Sequence, residues 1–284
     1  MKSIVVTGVS SGIGWGAAKT LVNKGFRVFG SVRKQADAER LQKELGPNFI
    51  PLIFDVTDAQ GVHKAAEQVA AALGGETLFG LVNNAGIAVP GPLLYLKVDD
   101  FRHQLEVNLT GQLIVTQAFA PLLGADPARK GNPGRIVMIS SVGGKRAAPF
   151  IGPYHASKFG LEGFSESLRR ELMVFGIDVI VIAPGAVATA IWDKAETVDT
   201  APYAHTVYAP VLGKLKSEMA RPGKKNLKPE KLSRVIHRAL TTANPKTRYT
   251  ITPEPLLYLL LTLLPKRLSD RLCAGRLGLM PKKR

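Results

Sequence analysis

Near the N-terminus runs Ile4-Val5-Val6-Thr7-Gly8-Val9-Ser10-Ser11-Gly12-Ile13-Gly14, the stretch that decides the fold. Its apolar start predicts a buried strand, and the residues that follow the loop predict a helix to about Lys24. Glycine lets a backbone turn tightly and approach a phosphate, while a helix start adds free N–H groups and a positive dipole end. The spacing is GxxxGxG rather than GxGxxG, so the evidence lies in the order strand, glycine loop, helix. The stretch predicts the first unit of a nucleotide-binding α/β sheet.

The chain then alternates apolar runs with helical patterns to about residue 251. Further strands are predicted at Arg27–Val32, Phe49–Phe54, Leu78–Asn83, Pro133–Ser141, Asp178–Ala183 and Arg248–Ile251. Helices are predicted at Asp58–Leu73, Asp99–Leu123, Pro153–Phe175 and Pro229–Thr241. This order predicts the α/β class, as a Rossmann-like, doubly wound parallel sheet of six to seven strands flanked by helices. Residues 1–252 are expected to form a single domain.

Ser141, Tyr154 and Lys158 are candidates for proton transfer. Tyr154 and Lys158 stand four residues apart in the helix predicted at Pro153–Phe175, so they lie on one face, one turn apart. A phenol with a pKa near ~10 is a poor acid–base catalyst at neutral pH, but a nearby ammonium favours the phenolate. Lys158 is therefore expected to lower the pKa of Tyr154, while Ser141 would donate a hydrogen bond to a substrate carbonyl. Taken alone, such a pair is more often a half-buried aromatic beside a solvated lysine.

The end of the second predicted strand indicates which nucleotide is bound. An acidic residue at this position would accept a hydrogen bond from the ribose 2′-hydroxyl of NAD. This chain has Val32 there, followed by Arg33. Because a guanidinium suits a phosphate dianion, the pair favours NADP(H), with a solvated loop arginine as the alternative.

Residues 190 to about 228 interrupt the alternation of strands and helices. The segment holds Ile191, Trp192 and other large apolar residues, together with three prolines. An insertion of this kind at the edge of an active site predicts a substrate lid, and its apolar content predicts an apolar substrate. The same side chains would also serve simply to pack the lid against the domain.

Composition restricts the class of protein. With 284 residues, 45% of them apolar and 21% charged, the chain has the make-up of a globular α/β protein with a substantial core. The single cysteine, Cys273, excludes an internal disulfide and fits a reducing compartment. The first strand follows Met1-Lys2-Ser3 directly, so no signal peptide is expected. A cytoplasmic location is expected, and no metal site.

Positive charge is concentrated in the C-terminal quarter. Residues 1–212 hold 20 Lys+Arg against 18 Asp+Glu, a net charge of +2, whereas residues 213–284 hold 18 against 4, a net charge of +14. The extension 253–284 is also partly apolar, because Pro255–Leu264 precedes several basic residues. That run is too short to span a bilayer. A solvated basic face and an anionic membrane surface both fit; nucleic acid is not expected, since no nucleic-acid-binding motif accompanies the charge.

Over about residues 3–251, the chain resembles the short-chain dehydrogenase/reductase family. Seven matches in the family's order carry the resemblance: Thr7-Gly8-x-x-x-Gly12-x-Gly14, Asp55, Asn83-Asn84-Ala85-Gly86, Asn108, Ser141, Tyr154-x-x-x-Lys158 and Pro184-Gly185-x-Val187-x-Thr189. Three stretches are most similar to steroid- and retinol-converting members: Val32-Arg33, 141–144 and 154–163.

The resemblance implies a role for each matched residue. Tyr154 is the general acid in reduction and the base in oxidation, and Ser141 polarises the carbonyl. Lys158 lowers the tyrosine pKa and holds the nicotinamide ribose, and Asn108 holds a water that links Lys158 to solvent. The implied cofactor-binding residues are Gly8, Ser10, Ser11, Gly12, Ile13, Gly14, Arg33, Asp55, Val56, Asn84, Ala85, Gly86, Tyr154, Lys158, Pro184, Gly185, Val187 and Thr189. The substrate contacts are Ser141, Gly143, Tyr154, Ile191 and Trp192.

The leading hypothesis is an NADP(H)-dependent oxidoreductase that acts as an alcohol dehydrogenase or carbonyl reductase on an apolar, steroid-, retinoid- or lipid-like substrate. A cofactor-binding scaffold or sensor without turnover is one alternative. A membrane-surface protein led by its basic C-terminus is another. The resemblance also implies a homodimer or homotetramer. The sequence leaves the exact substrate and the direction of the reaction open.

Overall fold

The structure is a computed structural model, and it describes residues 1–187, 199–219 and 226–281. The strands in this part of the chain form one sheet: β1 Ser3–Val6, β2 Arg27–Val32, β3 Phe49–Ile53, β4 Gly80–Asn83, β5 Arg135–Ile139, β6 Asp178–Pro184 and β7 Arg248–Ile251. Their order across the sheet is β3-β2-β1-β4-β5-β6-β7, and each neighbouring pair is parallel. The predicted fold class is confirmed, with seven strands.

The described helices lie between and after the strands of this sheet in the chain. They are α1 Gly12–Asn23, α2 Gln35–Leu45, α3 Ala59–Leu73, α4 Val98–Leu105, α5 Gly111–Phe119, α6 Gly152–Glu171, α7 Ala209–Met219, α8 Pro229–Thr241, α9 Pro255–Leu263 and α10 Lys266–Leu277. Successive strand residues point to opposite faces. Val5 therefore joins the core with α3, α5 and α6, whereas Ile4 and Val6 join the core with α1, α2 and α8.

The strand order reverses at β1, which lies between β2 and β4. In open parallel sheets, ligands bind outside the carboxyl ends of the strands at such a switch point. The loops that follow β1, β4, β5 and β6 leave the sheet at these ends. The topology therefore brings the predicted polar motifs together before any side-chain contact is considered.

The helix predicted at Asp99–Leu123 is divided into pieces. A π-helical turn, Glu106–Thr110, separates α4 from α5, and a 3₁₀ turn, Pro121–Leu123, follows. A π-helical turn inserts one extra residue into the helical register and is frequent at functional sites. Here it holds Asn108, the residue that the sequence places in an otherwise apolar helix.

The remaining predicted boundaries differ slightly from the structure. The third strand ends one residue early, and the fourth begins two residues late, at Gly80. The fifth strand is shorter than predicted at both ends, spanning Arg135–Ile139. The helix predicted at Pro153–Phe175 keeps α geometry to Glu171 and finishes as a 3₁₀ turn. Helix α8 and strand β7 have the predicted bounds.

Two regions beyond the sheet were predicted only in outline. The lid predicted at 190–228 falls partly outside the described residues, and its described part contains the 3₁₀ turn Ala201–Tyr203 and α7. The extension 253–284 contains α9 and α10, which the sequence analysis did not predict. No helix within the described ranges combines the length and the apolar character needed to cross a membrane.

Candidate active site

The loops at the carboxyl ends of the strands line a cavity of about 1080 Å³, and α9 and α10 line it as well. Most predicted site residues lie on its surface: Gly8, Ser10, Ser11, Gly12, Ile13, Arg33, Asp55, Val56, Asn84, Ala85, Gly86, Asn108, Ser141, Gly143, Tyr154, Lys158, Pro184, Gly185 and Val187. Thr189, Ile191 and Trp192 fall outside the described residues.

The glycine loop after β1 runs where side chains would not fit. Gly8 has a φ of +69°, and a Cβ atom on it would lie 2.9 Å from the Cα atom of Ala85. Gly14 contacts the loop rather than the cavity, because a Cβ atom on it would lie 2.2 Å from the carbonyl oxygen of Gly8. This close passage of bare backbone over the start of α1 is the form that accommodates a pyrophosphate. The loop therefore fits a dinucleotide cofactor.

Side chains from neighbouring strands fix the position of this loop. The Thr7 hydroxyl accepts hydrogen bonds from the backbone N–H groups of Asn84 (2.9 Å) and Ala85 (3.0 Å). The Asn84 amide donates to the carbonyl oxygens of Thr7 (2.8 Å) and Gly8 (3.1 Å), and the Gly8 N–H donates to the Ser31 hydroxyl at 2.9 Å. Sequence analysis missed Ser31 as a supporting residue. Its only sequence signal is a small polar residue inside an apolar strand.

Arg33 and Asp55 stand together at the edge of the cavity. The Arg33 Nη1 atom lies 3.6 Å from the Asp55 Oδ2 atom, and the arginine side chain is 68% exposed. Burial tends to raise the pKa of the Asp55 carboxyl, but hydrogen bonds from Thr57 and the nearby Arg33 charge outweigh it, so the pKa is lowered. Val32, the residue before Arg33, is buried. The exposed charge at the end of β2 is therefore the Arg33 guanidinium, in contact with the Asp55 carboxylate.

Asn108 is held by the protein through both ends of its amide. Its Oδ1 atom accepts from the Ile87 N–H at 2.8 Å, and its Nδ2 atom donates to the Ile87 carbonyl at 3.0 Å and to the Ser157 hydroxyl at 3.1 Å. The Ser157 hydroxyl in turn donates to the Tyr154 carbonyl at 2.7 Å. Asn108 thereby ties the segment after β4 to the helix that carries Tyr154. Its water-holding role stays a prediction.

Two further buried side-chain amides, in the helices α4 and α5 on either side of the π-helical turn, also bond the backbone after β4. The Gln104 Oε1 atom accepts from the Val89 N–H at 2.7 Å, and its Nε2 atom donates to the Ile87 carbonyl at 2.9 Å. One helical turn after Asn108, the Gln112 Nε2 atom donates to the Ala85 carbonyl at 2.8 Å. We call Gln104, Asn108 and Gln112 the amide row. It supplies the backbone hydrogen bonds that a neighbouring strand would otherwise give.

Ser141 and Tyr154 meet inside the cavity. The Ser141 Oγ atom accepts from the Gly143 N–H at 2.9 Å and donates to the Pro184 carbonyl at 3.4 Å. The Tyr154 side chain is half-buried and forms a hydrogen bond with the Ser141 hydroxyl. Burial raises the pKa of Tyr154, and the hydrogen bond with Ser141 opposes that effect only in part.

Lys158 stands beside this pair with its ammonium group buried. Its Nζ atom donates to the Ile139 carbonyl at 2.8 Å and lies 5.8 Å from the centre of the Tyr154 ring. Burial lowers the pKa of Lys158 to about 8, and the charge of Glu162 partly offsets the fall. The expectation that Lys158 lowers the pKa of Tyr154 is not met in the protein alone, because burial of the phenol dominates.

A family model described as short chain dehydrogenase matches residues 2–199 of this chain. The chain belongs to the short-chain dehydrogenase/reductase family. The family's enzymes are oxidoreductases that use a nicotinamide cofactor, which agrees with the glycine loop and with the Ser141, Tyr154 and Lys158 cluster.

Relatives are similar over nearly the whole chain. An NADPH-dependent 3-dehydrocapnine reductase of Ornithobacterium rhinotracheale is 37% identical over 273 residues, which cover 96% of each chain. Human retinol dehydrogenase 5 is 37% identical over 285 residues, covering 94% of this chain and 86% of that one. Among solved structures, a short-chain dehydrogenase from Streptomyces avermitilis has a TM-score of 0.76 at 25% identity, with 99% and 98% of the chains covered. An actinorhodin polyketide ketoreductase with NADPH has a TM-score of 0.73 at 27% identity, with 89% and 95% covered.

Glu162 is a residue of this short-chain dehydrogenase that sequence analysis missed. Its Oε1 atom accepts from the Ser140 hydroxyl at 2.7 Å, and its Oε2 atom accepts from the Arg248 Nε atom at 3.0 Å. The carboxylate and the guanidinium are both largely buried, with 15% and 19% of their side chains exposed. Glu162 therefore links β7 to the segment that ends in Ser141, one helical turn from Lys158. Its position four residues after Lys158 was the available signal.

His155 was missed as well, although it directly follows Tyr154. Its Nε2 atom lies 2.8 Å from the Ala148 N–H and its Nδ1 atom 2.8 Å from the Gly143 carbonyl. Because the N–H of Ala148 can only donate, Nε2 must accept and Nδ1 must carry the proton. Burial lowers the pKa of His155, and the Gly143 carbonyl opposes this only in part. A neutral His155 thus holds the loop between Ser141 and α6.

The C-terminal helices of this family member also contribute to the cavity. Tyr258 of α9 and Ser269, Asp270, Cys273 and Ala274 of α10 lie on its surface, as does Leu279. From the loop that follows Ser141, the Arg146 Nη2 atom reaches the Ser269 hydroxyl at 3.5 Å. The extension 253–284 is thus part of the candidate site.

Proposed function

We propose that this short-chain dehydrogenase is an NADP(H)-dependent carbonyl reductase that acts on an apolar, steroid-, retinoid- or lipid-like substrate. The observation that carries the proposal is the hydrogen bond between the Tyr154 and Ser141 hydroxyls, beside the buried Lys158 ammonium, in the cavity that the glycine loop also lines. A cavity of about 1080 Å³ is large enough to hold a dinucleotide and a substrate together.

Each of the three residues has a distinct task in carbonyl reduction. NADPH, when bound, supplies the hydride to the carbonyl carbon. The Tyr154 phenol donates the proton to the carbonyl oxygen, and the Ser141 hydroxyl holds that oxygen by a hydrogen bond. Because burial raises the pKa of Tyr154, the phenol is in its acid form at neutral pH, as reduction requires. Lys158 places a positive charge where the phenolate forms.

The preference for NADP(H) is supported by Arg33 and by the absence of an acid at Val32. The Arg33 guanidinium lines the cavity and its side chain is largely exposed, so it can reorganise around a ribose 2′-phosphate. Its contact with Asp55 is long, 3.6 Å, so little free energy is lost when the guanidinium leaves Asp55 for a phosphate. The reductase relative named as NADPH-dependent and the ketoreductase structure with NADPH point the same way.

An apolar substrate is supported by the residues that surround the catalytic cluster. Apolar side chains on this part of the cavity surface are Val142, Ala147, Ala148, Pro149 and Leu279. Two retinol dehydrogenases, from human and mouse, are among the similar relatives. Reduction is proposed because the raised pKa of Tyr154 keeps the phenol protonated, which is the form that can donate to a carbonyl oxygen, while the Lys158 charge stabilises the phenolate that results.

The test is NADPH consumption over a panel of aliphatic aldehydes, cyclic ketones, steroids and retinal, with NADH run in parallel. Tyr154→Phe is expected to abolish turnover while NADPH binding stays within about twofold, since the ring and its packing remain. Tyr249→Phe is the matched control, because it removes a hydroxyl outside the cavity that accepts a hydrogen bond from the exposed backbone N–H of Lys246. Retained turnover in Tyr154→Phe would remove the tyrosine from the mechanism. Tight NADPH binding without turnover of any carbonyl would favour a cofactor-binding scaffold.

A further inference from the structure

We propose that α9 and α10 form a lipid-binding face that docks on an anionic membrane and takes apolar substrate from it into the catalytic cavity. The inference rests on the proposed function for the substrate, but the docking itself does not. It is carried by the side chains that the two helices present outward and by those that they present to the cavity.

The outward face of α9 is a row of leucines. Leu256, Leu259, Leu260 and Leu263 are spaced to share one face of a helix, and they are 82%, 55%, 59% and 73% exposed. The opposite face carries Tyr258, which lines the cavity and whose side chain is partly buried. A helix that turns its apolar row to solvent rather than to the domain marks an interaction surface.

Helix α10 repeats the division between an outward and a cavity face. Leu268 and Leu272, one turn apart, are 45% and 55% exposed. The cavity side is formed by Ser269, Asp270 and Cys273. Each helix thus contacts the catalytic cavity with one side and presents leucines with the other.

The charges beside these leucines identify the partner. Arg267 and Arg271 directly precede Leu268 and Leu272, so a row of guanidinium groups runs alongside the leucine row; both arginines are exposed. The acidic Asp270 of α10 faces the cavity instead. Leucines flanked by arginines fit the boundary between acyl chains and anionic headgroups, where each basic residue adds attraction. A neutral protein groove would leave the arginine row without a counter-charge.

The docking test uses the full chain and vesicle flotation. Vesicles of phosphatidylcholine alone are compared with vesicles that also contain phosphatidylglycerol, at low and high salt. The wild type is expected to float with the anionic vesicles and to lose most binding in high salt. Replacing Leu256, Leu260 and Leu263 with glutamine should weaken partition at least about tenfold, and Arg267→Gln with Arg271→Gln about tenfold.

The matched control replaces Met173 and Val174 with glutamine. These residues are 69% and 79% exposed, and they lie on the turn that follows α6, far from both C-terminal helices in the sequence. The control should float like the wild type. Equal flotation of the leucine variant and the wild type would overturn the proposal. A second copy of the chain bound to the leucine face would also overturn the proposal. The readout would be an oligomer that binds no vesicle and that dissociates in the leucine variant.

The substrate step is tested by comparing a long-chain aldehyde held in vesicles with a short, water-soluble aldehyde. The leucine variant should raise the apparent KM for the vesicle-held aldehyde severalfold, with kcat and the constants for the soluble aldehyde unchanged. Turnover of soluble aldehyde by a chain that does not float would refute docking and leave the reductase intact. Flotation without turnover of either aldehyde would support docking and refute the reductase.

Discussion

The glycine loop and the C-terminal helices line the same cavity but are held in opposite ways. The loop follows the fully buried strand β1 and is fixed by hydrogen bonds that the Thr7 and Ser31 hydroxyls accept and the Asn84 amide donates. Helices α9 and α10 contain no buried residue along their described lengths. The glycine-loop side of the cavity, which is the cofactor side in the proposed function, is thus anchored on the hydrophobic core. The side formed by α9 and α10, which is the substrate side in the proposed function, is attached to the surface of that core. Substitutions in the glycine loop should weaken cofactor binding and lower the free energy of unfolding together. Substitutions in α9 and α10 should change the free energy of unfolding little.

The largest effect is expected where the loop is most tightly enclosed. Gly14→Ala places a methyl group 2.2 Å from the Gly8 carbonyl oxygen and 2.5 Å from the Asn84 side-chain nitrogen, so the loop must move. We expect NADPH binding to weaken at least about a hundredfold and the free energy of unfolding to fall by ~1–3 kcal/mol. Fluorescence titration and thermal unfolding measure the two effects. Gly163→Ala is the control, because nothing lies within 4 Å of its added methyl group; a Gly14→Ala variant with normal affinity would contradict the enclosed loop.

A smaller, selective effect is expected at the edge of the cofactor side. Arg33→Ala removes a cation whose charge-assisted hydrogen bonds to a 2′-phosphate are worth ~1.5–3 kcal/mol. NADPH affinity should therefore fall about tenfold to a hundredfold, with NADH affinity nearly unchanged, in parallel titrations. Arg102→Ala, which breaks only an exposed ion pair with Asp99, should change neither. Equal losses for both cofactors would exclude Arg33 as the 2′-phosphate ligand.

Substitution of Glu162, which lies between the two sides of the cavity, is expected to shift the pH profile of kcat/KM. The Glu162 carboxylate raises the pKa of Lys158 against the larger effect of burial, which brings it to about 8. Removing the carboxylate in Glu162→Gln should lower that pKa, so the alkaline fall of kcat/KM for reduction should move to lower pH. The pH profile of Glu166→Gln, a change at an exposed residue one turn further along α6, should match the wild type. An unmoved profile in Glu162→Gln would show that Lys158 does not control the alkaline limb.

The smallest effect is expected on the substrate side. Gly275→Ala in α10 meets no atom within 4 Å and should favour the helix by ~0.5–1 kcal/mol. If α10 opens independently of the core, trypsin cleavage at Arg271 should slow about twofold to fivefold while the global unfolding midpoint stays fixed. A matching rise in the midpoint would instead show that α10 unfolds together with the sheet, and the contrast between the two sides would weaken.

The sequence predicted what depends on local pattern. Strands and helices followed from hydrophobic periodicity, and the loop between Ile4 and Gly14 followed from its glycines and its context. Tyr154 and Lys158 could be paired because a helix repeats every turn, and parallel topology brought Ser141 to them.

What escaped prediction depends on partners that are distant in the sequence. Glu162 and Arg248 are separated by 86 positions, and no periodicity announces their contact. The sign of the pKa shift at Tyr154 depends on the extent of burial, which a motif does not give. The composition of 253–284 indicated a surface, but only the fold showed that α9 and α10 also line the cavity.

The amide row has a consequence for backbone dynamics. The N–H groups of Ile87 and Val89 lie beyond the last residue of β4, yet each donates to a buried side-chain oxygen, of Asn108 and of Gln104. Both amide protons should therefore exchange with deuterium as slowly as those of the central strands, although neither residue belongs to a strand of the sheet. We therefore expect the helix that contains the π-helical turn to extend the slow-exchanging core of the protein past the sheet to the candidate active site.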